Sequence, residues 1–239
     1  MRFLSFKNKK SLKEKREELI KRLIDRGVLN KSEVIKAMLK VPREEFVLES
    51  LKEEAYVDAP LPTLKGQTIS APHMVAIMCE LLDLNIGHKV LEVGAGSGYH
   101  AAVCAEIVAP SDIPREKWGH VYTIELFKEL VEFARNNLKK CGYDDRVTVI
   151  EGDGTLGYPE AAPYDRILVT AAAPKIPPPL KEQLKDGGKL VIPIGEAYSI
   201  QELILVEKIG NEFKEFRCGG CIFVPLYGKY GWEKLEPSI

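Results

Sequence analysis

Lys89-Val-Leu-Glu-Val-Gly-Ala-Gly-Ser-Gly98 is the stretch of sequence that decides the fold. The apolar, β-branched run Val90–Val93 predicts a buried strand, and the alanine-rich segment Tyr99–Val108 predicts a helix. The three glycines between them have a G-x-G-x-G spacing. Glycine tolerates positive φ and lets a ligand approach the main chain, while a helix N-terminus presents free N–H groups and partial positive charge. The stretch therefore predicts a site for a ligand with hydrogen-bond acceptors.

Strands and helices alternate after this stretch. The predicted strands are Val90–Val93, Val121–Ile124, Val147–Ile150, Arg166–Thr170 and Lys189–Pro193. The predicted helices are Tyr99–Val108, Phe127–Cys141 and a short Pro178–Lys185 that ends at Asp186-Gly-Gly188. Gln201–Lys208 and Phe213–Arg217 are expected to form a C-terminal antiparallel hairpin across Gly210-Asn211. These elements predict an α/β fold with a doubly wound, mostly parallel seven-stranded sheet.

The N-terminal part of the chain carries only helical patterns. Apolar side chains fall on one face of Ser11–Arg26, which predicts an amphipathic helix. Asn30 and Glu33 resemble a capping box that opens a second short helix, and Val41–Phe46 begins a third with a proline in its first turn. The expected division is a helical cap at residues 1–57 and a core at residues 58–239. The cap either only covers a sheet edge or takes a direct part in function.

Composition excludes several classes of partner. The chain has 34 basic and 35 acidic residues, so its net charge of −1 offers no positive surface to nucleic acid or to an anionic membrane. No apolar run approaches the length of a membrane span, and Met1–Lys10 has charges without the apolar segment of a secretory signal. We therefore expect a cytoplasmic protein without nucleic-acid or membrane partners.

The five cysteines do not predict a disulfide framework in a chain without a secretory signal. Most are expected to be small buried apolar residues. Cys218-Gly-Gly-Cys221 is a C-x-x-C pair, but no second pair completes a zinc site and no helix opens at it. We expect no metal site, and a redox or metal role for this pair stays the alternative.

Acidic residues follow the predicted strands where a ligand is expected, because open α/β sheets bind ligands beyond the carboxyl ends of their strands. Glu125 can accept hydrogen bonds from both hydroxyls of a ribose; the alternative is an exposed acid without a ligand. Asp153 can accept from an exocyclic amine such as that of adenine; the alternative is a turn aspartate that bonds its own backbone. A dinucleotide is disfavoured, since Tyr99 occupies the third glycine position of its G-x-G-x-x-G fingerprint.

A glycine loop with two strand-end acids, and without a P-loop lysine, describes a nucleoside ligand that lacks a triphosphate. This arrangement resembles the class I methyltransferases, which have a Rossmann-like fold and bind S-adenosylmethionine. Glu92, two residues before Gly94, matches the acid of their first motif. The resemblance implies that Glu92 and the glycine loop surround the methionine end of this cofactor.

A closer resemblance covers the chain from about Val41 to Leu226. The segments that carry it are Asp58-Ala-Pro60, Gly66-Gln-Thr-Ile-Ser-Ala-Pro-His-Met74, Gly152-Asp-Gly154, Gly157-Tyr158, Ala162-Pro-Tyr-Asp165, Val169-Thr-Ala-Ala-Ala-Pro174, Gln183-Leu-Lys-x-Gly-Gly188, Pro193-Ile-Gly195 and Phe223-Val-Pro-Leu226. They are similar to the motifs of the protein-L-isoaspartate O-methyltransferases. The resemblance implies methylation of the free carboxylate of L-isoaspartyl residues in damaged proteins and peptides, after which the ester closes to a succinimide.

The same resemblance implies roles for individual residues. Ser70 matches the active-site serine, although its place before the predicted helix Met74–Leu84 by itself favours a helix cap. The implied cofactor-binding residues are Gln67, Thr68, Ile69, Ser70, His73, Glu92, Gly94, Gly96, Gly98, Glu125, Asp153, Gly154 and Thr170. The implied substrate-binding residues are Asp58, Pro60, Ala171, Ala172, Ala173 and Pro174. For His73, a structural role near the start of a helix is the alternative.

Two other functions were compared with this one. Methyltransferases that act on nucleic-acid amines often carry an Asn-Pro-Pro-Tyr-like motif after the fourth strand, where this chain has Ala171-Ala-Ala-Pro174. A non-catalytic adaptor would show damaged glycine or acidic motifs, and these are intact. An isoaspartyl carboxylate needs no strong base, since such groups titrate near ~3.5 and are ionised at neutral pH. The small set of catalytic side chains therefore agrees with methyl transfer to a carboxylate.

Overall fold

A parallel sheet with an antiparallel extension forms the centre of the computed structural model, which describes residues 10–233. Its strands are β3 Lys89–Val93, β4 His120–Glu125, β5 Val147–Glu151, β6 Tyr164–Val169, β7 Leu184–Ile194, β8 Gln201–Ile209 and β9 Glu212–Cys221. A separate two-stranded sheet consists of β1 Leu61–Pro62 and β2 Thr68–Ile69. The large sheet has the order β5-β4-β3-β6-β7-β8-β9, in which β3 to β7 pair in parallel and β8 and β9 add antiparallel. The predicted seven-stranded fold is confirmed.

Helices pack on both faces of this sheet, and the N-terminal helices form the cap. The α-helices of the described chain are α1 Leu12–Asp25, α2 Ser32–Lys40, α3 Pro72–Leu82, α4 Tyr99–Val108, α5 Lys128–Lys140 and α6 Pro178–Glu182. Short 3-10 helices lie at Arg43–Glu45, Glu49–Glu54, Leu64–Gly66, Arg115–Lys117, Gly154–Leu156 and Pro159–Ala161. Within residues 10–233, no helix combines the length and apolar character of a membrane span. The predicted charged stretch Met1–Lys10 lies outside the described residues except for Lys10.

The strand order places a switch point at β3. From β3 the chain moves outward to β4 and β5 on one side, and then returns to pair β6 on the other side of β3. Because the two directions diverge there, the loops after β3 and β6 leave a crevice at the carboxyl edge. Four residues of β3, Val90 to Val93, are buried, as expected of a central parallel strand covered on both faces.

The cap and the sheet share one hydrophobic core. All residues of α4 are buried, because α4 lies between the sheet and the N-terminal helices. Leu23 of α1, Met38 of α2 and the nearby Phe46 belong to the same apolar cluster as Val90 of β3. Since a fully buried aliphatic or aromatic side chain contributes about 1.5–3 kcal/mol, the cap adds to the stability of the sheet that it covers. The division into a cap at residues 1–57 and a core at residues 58–239 stays a prediction.

The predicted capping box at Asn30 and Glu33 is wrong. Helix α2 begins at Ser32, its N-cap is Lys31, and no side chain of its own first turn caps it. Instead Oε1 of Glu80, on α3, accepts from the main-chain N–H groups of Asn30 and Lys31 at 2.8 and 2.7 Å. A carboxylate from a distant helix supplies the acceptor that a local side chain was expected to supply. Ser11 and Glu14 form a true capping box at α1.

The predicted boundary after the last helix is also wrong. Helix α6 ends at Glu182, and β7 already begins at Leu184, so Asp186-Gly-Gly188 lies inside a strand. In the pairing of β6 with β7, Tyr164 faces Leu184 and Arg166 faces Lys189, which leaves residues 185–188 as an irregularity in the ladder. The glycines permit this bulge; Gly187 has a φ of +73°.

Candidate active site

A cleft surrounds the glycine loop at the carboxyl edge of the sheet. Its outer part is bordered by Glu125, Phe127 and Tyr227, and its inner part by Ser70, Glu92 and His100. The two parts share Thr68, Gly94, Gly96 and Thr170. The loop after β3 and the Thr68–Ser70 segment therefore lie on either side of one continuous recess.

Backbone geometry explains the glycines of this loop. Gly94, Gly96 and Gly98 have φ values of +98°, +53° and +86°, which favour glycine over any other residue. At Gly94 an added Cβ would also lie 2.5 Å from Oγ1 of Thr170. That hydroxyl donates to the Gly94 carbonyl at 2.7 Å, so the loop after β3 and the loop after β6 are in direct contact. A side chain at Gly94 would separate them.

Glu125 lies at the end of β4, beside the glycine loop. Its Oε2 accepts from the Gly96 N–H at 2.9 Å, and its Oε1 accepts from the Phe127 N–H at 3.0 Å. Burial raises the pKa of Glu125 above its ordinary value, although these main-chain hydrogen bonds favour the ionised form. A carboxylate can accept about four hydrogen bonds, so acceptor capacity remains toward the cleft. The geometry is compatible with the predicted ribose contact, which stays a prediction.

Glu92 is a buried carboxylic acid on β3 at the inner end of the cleft. Its Oε2 accepts from the Thr123 hydroxyl at 2.5 Å, whereas its Oε1 has no hydrogen-bond partner among residues 10–233. Burial raises the pKa of Glu92 to about 7. A buried acceptor without a partner is costly unless a ligand or water completes it, so this atom is suited to receive a polar group in the cleft.

Asp153 follows β5 and bonds its own turn. Its Oδ1 accepts from the N–H and the hydroxyl of Thr155 at 2.8 and 2.6 Å. Its Oδ2 accepts from the Lys229 N–H at 2.8 Å, which fastens the C-terminal segment to this turn. The geometry of the turn-aspartate alternative is therefore present. Gly154 borders the cleft beside it, and the adenine contact of Asp153 stays a prediction.

Asp58, rather than Ser70, supplies the cap of α3. The N-cap residue is Ala71, which makes no side-chain cap bond, and Oδ1 of Asp58 accepts from the His73 N–H at 2.9 Å and lies 2.8 Å from Nδ1 of its ring. Burial alone would raise the pKa of Asp58, but the bonds from His73 hold it below its ordinary value. The predicted Ser70 cap is wrong, because the acceptor comes from a neighbouring loop. Ser70 instead borders the inner cleft.

The loop after β6 is mostly occupied by main-chain pairing. Ala172 donates to the Val224 carbonyl and accepts from the Leu226 N–H, both at 2.8 Å, and Ala173 donates to the Pro193 carbonyl at 3.0 Å. Ala172 and Ala173 are fully buried. Thr170 and Ala171 of this loop border the cleft, and the exposed Pro174 lies in a separate groove.

The structure thus brings together most of the predicted site residues. Those that border the cleft are Gln67, Thr68, Ile69, Ser70, Glu92, Gly94, Gly96, Glu125, Gly154, Thr170 and Ala171. Those outside its lining are Asp58, Pro60, His73, Gly98, Asp153, Ala172, Ala173 and Pro174. Asp58, His73, Gly98 and Asp153 have visible structural tasks in caps and turns. The binding roles assigned to all of these residues stay predictions.

Sequence reasoning missed one wall of the cleft. Leu126 and Phe127, after Glu125, border it, and so do Val224 to Tyr227. Trp232 holds the C-terminal segment in place by donating from Nε1 to the Ala172 carbonyl at 3.1 Å. Leu126 is an apolar residue that directly follows a strand-end acid, and it is 38% exposed. An apolar residue at that position is the signal by which the sequence could have indicated this part of the wall. Nothing local in the sequence indicates that Val224–Tyr227 reaches the loop after β6.

Comparison with known proteins agrees with this geometry. The family model described as protein-L-isoaspartate(D-aspartate) O-methyltransferase matches residues 14–231. Relatives named protein-L-isoaspartate O-methyltransferase include one from Hyperthermus butylicus, 62% identical over 94% of this chain and 93% of its own, and one from Methanopyrus kandleri, 60% identical over 92% and 95%.

A solved structure of similar description gives the same result. The Plasmodium falciparum protein, crystallised with S-adenosyl-L-homocysteine, is 31% identical to this chain, with a TM-score of 0.78 over 89% of this chain and 98% of its own. The sequence family and the fold therefore agree with each other. The chain belongs to the protein-L-isoaspartate(D-aspartate) O-methyltransferase family.

Proposed function

We propose that this chain transfers a methyl group from S-adenosylmethionine to the free carboxylate of L-isoaspartyl residues in damaged proteins, and so starts their repair through a succinimide. Membership of the family supports the reaction and its cofactor. The observation that carries the proposal is that one cleft joins Glu125 and the glycine loop, at one end, to Ser70 at the other. Donor and acceptor groups can therefore meet inside it.

The residues present fit a nucleoside methyl donor. Gly94 and Gly154 have to be glycine beside the cleft, since a Cβ would collide with Thr170 at the first and with Val93 at the second. The unpartnered Oε1 of Glu92 can accept a hydrogen bond from an ammonium group. Glu125 would hold the ribose hydroxyls, and the turn at Asp153 would lie at the base. When bound, S-adenosylmethionine supplies an electrophilic methyl group on a sulfonium.

The chain's own residues then have to orient and desolvate the acceptor. An isoaspartyl carboxylate is ionised at neutral pH, so no general base is required. The Ser70 hydroxyl would donate to that carboxylate and fix its direction, while Thr68 and Ile69 narrow the recess and limit water. The positive charge of the sulfonium and the negative charge of the carboxylate cancel as the methyl group moves. The rate therefore depends on the alignment of the reacting groups and on the exclusion of water.

The acceptor we propose is a polypeptide and not a nucleic acid. The net charge of −1 provides no electrostatic attraction for a polyanion, and Ala172 and Ala173 are buried where a base-binding motif would have to be accessible. The proposed location is the cytoplasm, on the composition grounds given above.

A matched pair of peptides tests the proposal. The protein is incubated with methyl-labelled S-adenosylmethionine and with peptides that differ only in an L-isoaspartyl or a normal L-aspartyl residue. We expect label on the isoaspartyl peptide and formation of its succinimide, followed by partial conversion to the aspartyl peptide. Equal labelling of both peptides, or of neither, would contradict the proposed acceptor.

A further inference from the structure

A compact group of soft ligands lies behind the cleft, outside the machinery described above. Cys79 on α3 meets His100 and Cys104 on α4, and all three side chains are buried. One ligand atom of each lies within 4.8 Å of the others, and the Cys79 Sγ is 3.4 Å from Nε2 of His100. Sequence reasoning did not find this group, because 21 residues separate Cys79 from His100.

These separations suit a bound metal ion. With bonds of about 2.3 Å to sulfur and about 2.0 Å to nitrogen, the ligand atoms of a trigonal or tetrahedral site are about 3.5–4.0 Å apart. The 3.4 Å between the Cys79 Sγ and the His100 Nε2 is close to that value, and the other two separations do not exceed 4.8 Å. His100 and Cys104 are four residues apart on α4, which places them on one face of the helix. Two thiols and one imidazole favour thiophilic cations.

We propose that Cys79, His100 and Cys104 bind one thiophilic cation, Zn²⁺ or Cu⁺. The site is novel for this chain and does not depend on the identity of the methyl acceptor. A bound ion would join α3, which follows the Ser70 segment, to α4, which follows the glycine loop. It would therefore stabilise the two helices on which the sides of the cleft rest.

The chemistry of the thiols supports this assignment. The thiolate is the form of cysteine that ligates metals, and the Sγ of Cys79 lies within hydrogen-bond distance of the His100 ring. A thiolate in an apolar core is costly to leave uncompensated, and a cation at this point would compensate it.

The group is also connected to the cleft. His100 borders the inner cleft together with Glu92, at a cavity of about 30 Å³. Nδ1 of His100 and Oε1 of Glu92 are both buried without a hydrogen-bond partner among residues 10–233. Metal-bound histidines commonly donate from the second ring nitrogen to a carboxylate or to a water molecule, and either can accept from Nδ1 of His100 here.

Metal analysis of the full chain tests the proposal. The purified protein is incubated with Zn²⁺, or with Cu⁺ under reducing conditions, desalted, and analysed for bound metal. We expect about one equivalent in the wild type, and loss of that equivalent in Cys79→Ser and in Cys104→Ser. The matched control is the double variant Cys218→Ser/Cys221→Ser, which should retain the metal because its thiols lie on β9, away from the group.

Two measurements on the wild type keep the test decisive if a serine variant fails to fold. Co²⁺ should produce the absorption of thiolate-to-cobalt charge transfer. Saturating Zn²⁺ should also raise Tm by about 5 °C or more. The site is overturned if the wild type retains no metal, or if Cys79→Ser retains as much metal as the wild type. It is also overturned if the untreated protein is lighter by two hydrogens at Cys79 and Cys104, because that mass marks a disulfide.

Discussion

The two halves of the cleft are built in different ways. The proposed donor half consists of Glu92, Gly94, Gly96, Glu125 and Gly154, and it lies on the carboxyl ends of β3, β4 and β5 in the large parallel sheet. The proposed acceptor half consists of Thr68, Ile69 and Ser70, for which the family resemblance also implies cofactor contacts, and it lies on β2 and the residue after it. Among the described residues 10–233, that segment pairs only with β1, in a sheet whose strands have two residues each. One half rests on the large sheet and the other on a small hairpin whose Leu61 and Ile69 are buried in the core.

This difference suggests a rigid donor site and an adaptable acceptor site. In the donor half, the Gly94 and Ala95 N–H groups donate to the Ile124 carbonyl at 2.8 and 3.1 Å, so that neighbouring strands fix the loop. Isolated two-stranded hairpins are marginally stable in water, and Gln67 and Thr68 at the edge of the cleft are partly or fully exposed. Changes in the donor half should therefore weaken cofactor binding, whereas changes in the acceptor half should mainly slow methyl transfer.

The largest effect is expected from Gly94→Ala. The new Cβ would lie 2.5 Å from Oγ1 of Thr170, at a φ of +98°, so that overpacking and backbone strain act together. We expect the affinity for S-adenosylmethionine, measured by calorimetry, to fall by about 100-fold or more.

Gly142→Ala is the matched control for Gly94→Ala. Gly142 has a φ of +72°, but its Cβ would have nothing within 4 Å, so the variant has the strain without the collision. It should retain cofactor affinity with only a modest loss of stability. Equal loss of affinity in both variants would show that general destabilisation, and not the donor loop, causes the effect.

The second prediction concerns the buried charge of Glu92. Its pKa is about 7 in the folded protein against an ordinary value of 4.5, so the folded state binds the proton more tightly than the unfolded state. The ionised carboxylate therefore lowers the free energy of unfolding as pH rises from 4.5 through 7, by about 3 kcal/mol in total. Glu92→Gln removes this cost, and its unfolding free energy relative to wild type should rise between pH 5 and pH 8.

Denaturant unfolding at the two pH values measures this difference. Thr123 still offers its hydroxyl to the amide oxygen of the variant, so the packing changes little. The same variant should bind S-adenosylmethionine less tightly at pH 8, because a neutral amide attracts an ammonium group less than a carboxylate does. A stability difference that does not change with pH would contradict the buried charge as its cause.

The third prediction moves to the acceptor half. Ser70→Ala should lower kcat by roughly 30-fold, which corresponds to about 2 kcal/mol for one hydrogen bond made to a charged group in the transition state. The dissociation constant of S-adenosylmethionine should change by no more than about twofold. Ser50→Ala, on an exposed turn of the cap, is the control and should leave both values unchanged. If the main loss after Ser70→Ala lies in cofactor affinity, the division of the cleft into two halves is wrong.

The donor half could be predicted from the sequence because it depends on local rules. A buried strand, a glycine turn and an acid at the next strand end are all short-range signals, and the parallel sheet brings them to one edge. The structure confirms the fold for that reason. The acids lie at the strand ends where their positions in the sequence place them.

The remaining features depend on contacts between distant segments. Asp58 caps α3 across 15 residues, and Glu80 caps α2 across 50, where local motifs suggested Ser70 and Asn30 with Glu33. Val224–Tyr227 pairs with Ala172 and closes the cleft from the far end of the chain. Tertiary packing decides which side chain accepts hydrogen bonds from the free N–H groups at the start of a helix. A local residue that could cap the helix is therefore not used where an acceptor from another segment is better placed.

The smallest effect, and the finest test of the comparison, comes from Glu125→Gln. Glu125 and Glu151 end neighbouring strands and face each other in the β4–β5 register, but only Glu125 is buried at the cleft. Glutamine keeps one acceptor and turns an NH₂ group toward one of the N–H donors of Gly96 and Phe127, so one charge-assisted hydrogen bond is lost. Affinity for S-adenosylmethionine should fall about tenfold, or about 1.4 kcal/mol, while kcat at saturation stays close to wild type. Glu151→Gln is the control and should change neither value, because the Glu151 side chain is exposed. If Glu125→Gln lowers kcat without lowering the affinity, Glu125 acts in the transfer step and not in the donor half.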